Sequence, residues 1–307
     1  MRRRKTGGVS WLDVKLALRM LVKHPGLTLG GGLGLAVGIF ISVGFYSAIM
    51  AYYFPTLPLD EGERVVALEN WDTEWNGQER RILHDFFTWR EELEWVEDLT
   101  AFRMMEFYLT AGDEPPELVQ VAEMTAAGFR LARVPPLLGR YLLRDDEREG
   151  APPVLVIGYH VWRTRFAGDP DILGREVRLG RVVHTVVGVM PEGFAFPQSH
   201  DYWVPLRERP SAYERRAGPV IFIAGRLAPG ITMEMAQAEL SAFGERTAAA
   251  FPETHERLRP MVMPYTHTFT GVRGVELWQF VLGNLMASLV LVVVALNVAV
   301  LVYARTA

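Results

Sequence analysis

The sequence predicts an α+β membrane protein in which two transmembrane helices flank an outer domain. Two observations carry the prediction. Leu27–Phe54 and Leu277–Ala304 are runs of 28 residues each without Asp, Glu, Lys, Arg or His. Between them, period-2 strand patterns alternate with helical ones in an acidic segment that has ordinary globular composition. The chain divides accordingly into a cytoplasmic interfacial helix at 1–25, a first span at 26–54, an outer domain at 55–275 and a second span at 277–304. The outer domain reads as a first part at 55–134, an inserted subdomain at 135–210 and a second part at 211–275.

The amino-terminal segment has Ser10-Trp11-Leu12-Asp13, a capping-box pattern, with Pro25 closing the helix that follows. Trp11, Val14, Leu18, Leu21 and Val22 share one side, while Lys15, Arg19 and Lys23 stack at four-residue spacing on another. An apolar face beside a basic one suits a helix lying on an anionic leaflet, so Trp11, Lys15, Arg19 and Lys23 are its candidate membrane-surface residues.

Within the first span the run Gly32-Leu33-Gly34-Leu35-Ala36-Val37-Gly38 has the look of a dinucleotide-binding turn. That reading needs a preceding strand, a following amphipathic helix and a downstream acidic residue, and none is present. As a helix the segment is roughly 42 Å long, more than a bilayer's hydrocarbon core. Gly26, Gly30, Gly34, Gly38 and Ser42 recur at every fourth position, which gives a stripe where another helix can approach closely. The expected packing residues are Gly30, Gly34, Gly38 and Ser42, with Gly283, Ala287, Ala295 and Ala299 facing them from the second run. The apolar run is too long and too far from the amino terminus for a signal peptide.

Seven basic residues and only Asp13 as an acid precede the first run, and Arg305 follows the second. The positive-inside rule therefore places both termini in the cytoplasm and the middle outside. Of 32 basic and 36 acidic residues, eight and one respectively lie in these flanks, which leaves 24 against 35 in the outer domain. Such an excess of acid argues against nucleic acid as a partner. The absence of cysteine excludes thiol chemistry, iron–sulfur clusters and disulfides.

In the outer domain the pattern predicts strands at 64–69, about 100–110 and 117–124, with a helix over 84–96. Further strands are expected near 153–157, 175–179, 182–189, 202–206, 220–227 and 258–264. A short helix is expected at 159–166, and a longer one, capped by Thr232, to about 251. Two β-α-β-like units thus flank a Pro- and Gly-rich middle. Chemistry is sparse. The seven histidines show no His-x-x-x-His spacing, and neither a Gly-x-Ser-x-Gly elbow nor a phosphate loop with Lys-Ser/Thr occurs. The adjacent acids Asp145-Asp146 and Glu91-Glu92 read as solvated faces. Trp71, Trp75, Trp89 and Trp95 read as packing before they read as a ligand groove. The sequence predicts no enzyme, cofactor or metal.

Several segments resemble a known family. DVKLALRMLVKHP (13–25), the first apolar run and LPLDEGERVVAL (57–68) look like the opening of MacB-like and FtsX-like ABC-transporter permeases. FAGDPDILGR (166–175), HTVVGVMPEGFAFP (184–197) and WVPL (203–206) are similar to that family's periplasmic core domain, especially in duplicated permeases without an ATPase of their own. RLAPG (226–230), FPET (251–254) and the close from Ala295 to Arg305 continue the likeness in order.

The resemblance implies a split "porter" subdomain with an inserted, mainly β "Sabre" subdomain. It also implies a cytoplasmic ABC ATPase acting in trans, whose nucleotide-driven motion the spans relay outward in the bacterial inner membrane. Other implied partners are the remaining permease half or a second permease copy, and a periplasmic adaptor. Such permeases have four spans per repeat and this sequence shows two, so the chain reads as a fragment or a divergent half-permease. Val300 replaces a frequent second Asn of the family. A two-span receptor with an outer sensing domain has the same topology and stays open as the alternative.

Overall fold

A computed structural model of the chain describes residues 11, 25–53, 57–110, 115–270, 282, 285, 288–289 and 291–296; within the helices, the side chains of 27, 28, 30, 31, 35, 49, 51–53, 269 and 270 lie outside that description. The chain forms two compact units, 1–55 with 272–307 and 56–271. In the first, helix α1 (Pro25–Tyr53) runs unbroken for 29 residues and carries no charge. Its fully described residues alone make no helix long and apolar enough to cross a membrane, so the two spans rest on sequence.

The second unit is organised by one eleven-stranded sheet. β1 (Val65–Asp72), β3 (Val96–Thr110), β10 (Phe222–Leu227) and β11 (Leu258–Pro264) lie in the order β11-β1-β10-β3, and every neighbouring pair is antiparallel. Helix α2 (Leu83–Glu92) joins β1 to β3, and α5 (Met233–Ala250) joins β10 to β11. Each β-α-β unit is therefore split by a strand of the other, which is the ferredoxin-like arrangement. The expected units exist, but interlocked, because each crossover skips one strand.

Both faces of these strands are buried. Val66, Leu68, Ala101, Ile223 and Val262 pack with Phe86 and Trp89 of α2 and Leu240 and Phe243 of α5. Their sequence neighbours Val65, Ala67, Phe102, Ala224 and Met263 fill the opposite face, with Phe129, Phe196, Trp203 and Tyr265. Apolar residues at successive positions, rather than alternate ones, are what a strand covered on both sides requires. Thr232 caps α5, its Oγ1 accepting from the Met235 N–H at 3.3 Å.

β3 continues past this region and, with β4 (Glu117–Met124), enters a second closed arrangement. β4 pairs with β9 (Tyr202–Pro205), β9 with β6 (Val154–Ile157), β6 with β8 (Val182–Val189), β8 with β7 (Glu176–Leu179), and β7 returns to β3 at Leu109 and Thr110. Five strands besides β3 are thus drawn into a path that closes on β3 itself. The interior holds Leu109, Val121, Leu155, Ile157, Val177, Leu179, Val186 and Val204, a solid core as expected for so small a ring. The short strand β5 (Leu138–Gly139) joins β8 from outside. There Gly188 is required, since a Cβ would meet the Arg140 carbonyl oxygen at 2.0 Å.

The remaining elements are β2 (Gly77–Glu79), α3 (Ala127–Ala132), α4 (Tyr159–Thr164), α6 (Pro252–His255) and α7 (His267–Thr270). The helix expected over 84–96 ends at Glu92. Trp95 is buried in the turn just before β3, and Trp89 is buried in the helix, both as packing residues. Trp75 is exposed. Asp146 departs from the solvated reading: it is buried, pairs with Arg140 Nη1 at 2.6 Å and accepts from the Leu143 N–H.

Candidate functional site

The chain reaches the sheet through residues 57–64, and charged groups fasten that segment. Arg226, on β10 and 1% exposed, donates through Nη1 to the Glu61 carbonyl at 3.0 Å and through Nη2 to the Leu131 carbonyl at 2.8 Å. Arg133, just after α3, reaches Glu61 Oε2 at 2.8 Å and Asp60 Oδ2 at 3.3 Å. Arg64 binds the Leu227 carbonyl from Nε at 3.1 Å and Nη2 at 2.6 Å, and its Nη1 meets Glu61 Oε2 at 2.5 Å. Burial, together with the neighbouring Arg133 and Arg64, pushes the Arg226 guanidinium below its ordinary range, while the carboxylates of Glu61 and Asp60 pull the other way. Glu61 and Arg133 both hold left-handed backbone, φ 46° and 55°. Such angles are uncommon outside glycine and persist only where the surroundings impose them.

The outgoing chain leaves from the same place. β1 and β11 are antiparallel neighbours with Val66 opposite Pro264, so the start of β1 and the end of β11 coincide. Tyr265 N–H donates to the Val65 carbonyl at 3.2 Å, and its hydroxyl donates to the Pro197 carbonyl at 2.5 Å. Incoming and outgoing segments are thus pinned to one end of one strand pair.

At the other end of β1 a buried charge network fixes the sheet. Arg216 Nη2 lies 2.6 Å from Asp72 Oδ2 and 2.9 Å from Glu79 Oε2, and Arg81 also meets Glu79 at 3.0 Å. Burial alone would raise both carboxyls. The Glu74 N–H and Arg216 at Asp72, and Arg81 with Arg216 at Glu79, outweigh it and hold both below their ordinary values.

Sequence reading missed one buried constellation. Thr254 Oγ1 lies 2.7 Å from His255 Nδ1, His255 Nε2 lies 3.0 Å from Asp85 Oδ1, and Asn70 Nδ2 donates to Asp85 Oδ2 at 2.8 Å. The order resembles a nucleophile, base and acid. The void beside His255 and Asp85 is about 10 Å³, scarcely one water, which leaves a substrate no room against that pair. The group instead ties α6 to α2 across 170 residues of sequence. No signal in the primary structure marks this long-range pairing.

Of the expected helix-packing residues, Gly38 and Ser42 are buried and Gly34 is half-buried. A Cβ at Gly38 would lie 3.1 Å from both methyl carbons of Val294. Ala295, expected on the facing side, is exposed: successive residues of a helix point about 100° apart, and Val294 takes the contact. Gly30 belongs to α1, but its surroundings, together with Gly283, Ala287 and Ala299, lie outside the described residues, as do Lys15, Arg19 and Lys23. Trp11 is exposed.

A split ferredoxin-like sheet is thus continuous with a closed ring of strands and is entered and left at one end. The chain belongs to the family of the MacB-like periplasmic core domain, whose sequence profile matches residues 31–243. No curated protein matches it. Among solved structures it is similar to a domain described as part of a permease protein from Porphyromonas gingivalis, with a TM-score of 0.53 and 17% identity over 68% of this chain and 92% of that one. It is also similar to the periplasmic region of MacB from Actinobacillus actinomycetemcomitans, with a TM-score of 0.51 and 16% identity over 69% of this chain and 95% of that one. At these identities the likeness concerns the fold. The protein is thus of the ABC-transporter permease type and carries a MacB-like periplasmic domain.

Proposed function

We propose that the chain relays motion driven by a cytoplasmic ABC ATPase to its outer domain, as a MacB/FtsX-type permease subunit or part of one, for efflux or another envelope process. In this reading 26–54 and 277–304 cross the inner membrane, both termini are cytoplasmic, and 55–134 with 211–275 form the porter around a Sabre insertion at 135–210. The Lys15, Arg19 and Lys23 face holds the first helix on the inner leaflet. The observation that carries the proposal is the pinning of both connecting segments to one end of the β1–β11 pair. A force on either segment then loads the sheet directly, because Arg226, Arg133 and Arg64 leave residues 60–64 little freedom to absorb it. The continuous strands β3 and β4 extend that load into the ring.

The native absence of cysteine makes the test direct. Single cysteines in place of Arg2, Asp145 and Arg257 are labelled with a membrane-impermeant maleimide in intact cells from which the outer membrane has been removed. Labelling at 145 and 257 but not at 2 is expected, and labelling at 2 would defeat the topology. With the co-purifying ATPase present, ATP should change the cross-linking yield of the double variant Glu61→Cys, Arg133→Cys. A yield indifferent to ATP but altered by a soluble small molecule would favour the receptor.

A further inference from the structure

Two adjoining clefts, of about 240 and 350 Å³, open between α2, the turn at 144–148 and the segment 206–211, and they share Arg90, Thr125, Arg144 and Glu147. Arg90 is held in place there: its guanidinium carbon stacks 4.5 Å from the Phe87 ring centroid and 5.1 Å from that of Phe86. The nearest countercharge, Glu147, is 3.9 Å away and already accepts the Ala126 N–H at 2.7 Å. Arg144 makes no ion pair among the described residues. The cleft's other cations are engaged, Arg130 with Asp98 at 2.7 Å, Arg148 with Asp145 at 2.8 Å and Arg209 with Glu149 at 3.5 Å.

Arg90 and Arg144 therefore face the cleft against Glu147 and, on its rim, the exposed Glu91, neither of which comes within hydrogen-bonding distance of Arg90. Burial also pushes the Glu147 carboxyl up, despite the Ala126 N–H and Arg90, which weakens it further as a counterion. The wall beside the charge is apolar, with Phe87, Leu206 and Pro210. Two guanidinium groups whose donors are not taken up by a close carboxylate, beside an apolar wall, suit a singly charged anion with an apolar body. A divalent phosphate would meet Glu147 at close range.

We propose that this cleft binds a small carboxylate, its oxygens between Arg90 and Arg144 and its apolar body against Phe87 and Pro210. Guanidinium groups match a carboxylate in geometry as well as charge, and a pocket of this size encloses a ligand of about ten heavy atoms. Because its walls come from α2, the 144–148 turn and the 206–211 segment, an occupant ties the split sheet to elements beside the ring.

The test is calorimetry on the purified full chain with benzoate as probe, and with acetate and inorganic phosphate for comparison. Benzoate should bind more tightly than either. Arg144→Gln, at an exposed position, should weaken benzoate about tenfold while leaving the thermal transition unchanged. Glu147→Gln should tighten it several-fold by removing the competing carboxylate. No binding of benzoate at millimolar concentration, equal binding by Arg144→Gln, or tighter binding of phosphate would each overturn the proposal.

Discussion

Glu61 and Arg133 pair at 2.8 Å while both hold left-handed backbone conformations, at positions 72 residues apart in sequence. Neither is glycine, the residue that adopts such angles without a Cβ clash. The strain at the two positions is maintained by the contacts that fasten residues 60–64 to the sheet.

Replacing Arg133 separates the two effects. Arg133→Ala keeps the strained backbone and loses the pair, whereas Arg133→Gly loses the pair and relieves the strain. The glycine variant should be the more stable of the two, on the order of fivefold in the folding equilibrium. Urea unfolding of both full-length variants measures the difference. If alanine equals or exceeds glycine, the backbone at 133 is not strained.

Arg226 is expected to be costlier. Its removal leaves the Leu131 carbonyl without its Arg226 donor and the Glu61 carbonyl with the Arg64 N–H alone. Arg226→Ala should destabilise by about 3 kcal/mol, because it removes two charge-assisted hydrogen bonds and the packing of a buried side chain. Arg226→Met, which fills the space, should recover part of that. Denaturant midpoints of the two variants check the order.

The Arg216 network makes stability depend on pH in a defined sense. Asp72 and Glu79 have folded values below their unfolded ones, so they bind fewer protons folded than unfolded at mildly acid pH. Their contribution is present above the unfolded carboxyl range of about 4 and is lost as pH falls through the folded values. Arg216→Gln removes one of the groups that offset burial, while the Glu74 N–H at Asp72 and Arg81 at Glu79 remain. Both carboxyls should then rise toward their unfolded values, so less stability is lost between pH 7 and 3. Thermal midpoints between pH 3 and 7 should fall less steeply toward acid for the variant than for the parent protein.

Local pattern carries far in this chain. The strand 117–124 and the strand 182–189 follow from alternation and turn residues alone, and Thr232 marks the start of α5 because its hydroxyl supplies the missing acceptor. Relationships across long separations are not legible in it. The pattern begins β3 near 100, yet its first residues, from Val96, pair with Leu227. The return of β7 to Leu109, which closes the ring, depends on a pairing 70 residues apart that no periodicity encodes. The same holds for the site: GERVVAL shows a charged turn before a strand, but that Arg226 and Arg133 converge on it is decided by strand order.

The last prediction concerns the glycine stripe of α1. Gly38 sits against Val294, and an added Cβ would come within 3.1–3.2 Å of three of its side-chain atoms, tighter than ordinary contact. Gly32, six residues earlier, has nothing within 4 Å of the same position. The two glycines therefore make a matched pair in one helix. Gly38→Leu must move the second segment or its own backbone, and overpacking of this kind costs about 2 kcal/mol. Gly32→Leu extends into open space and should leave the contact intact. Cysteines at 38 and 294 should form a disulfide in the otherwise cysteine-free chain. The same test with cysteines at 42 and 294 gauges how far the contact extends along the stripe, and Gly34→Leu in that background should lower its yield if the stripe packs as a unit. Equal yields from the 42–294 pair with leucine at 32, at 34 and at neither would show that the small residues are not what brings these segments together, and the relay proposed for the spans would then lose its contact at Gly38.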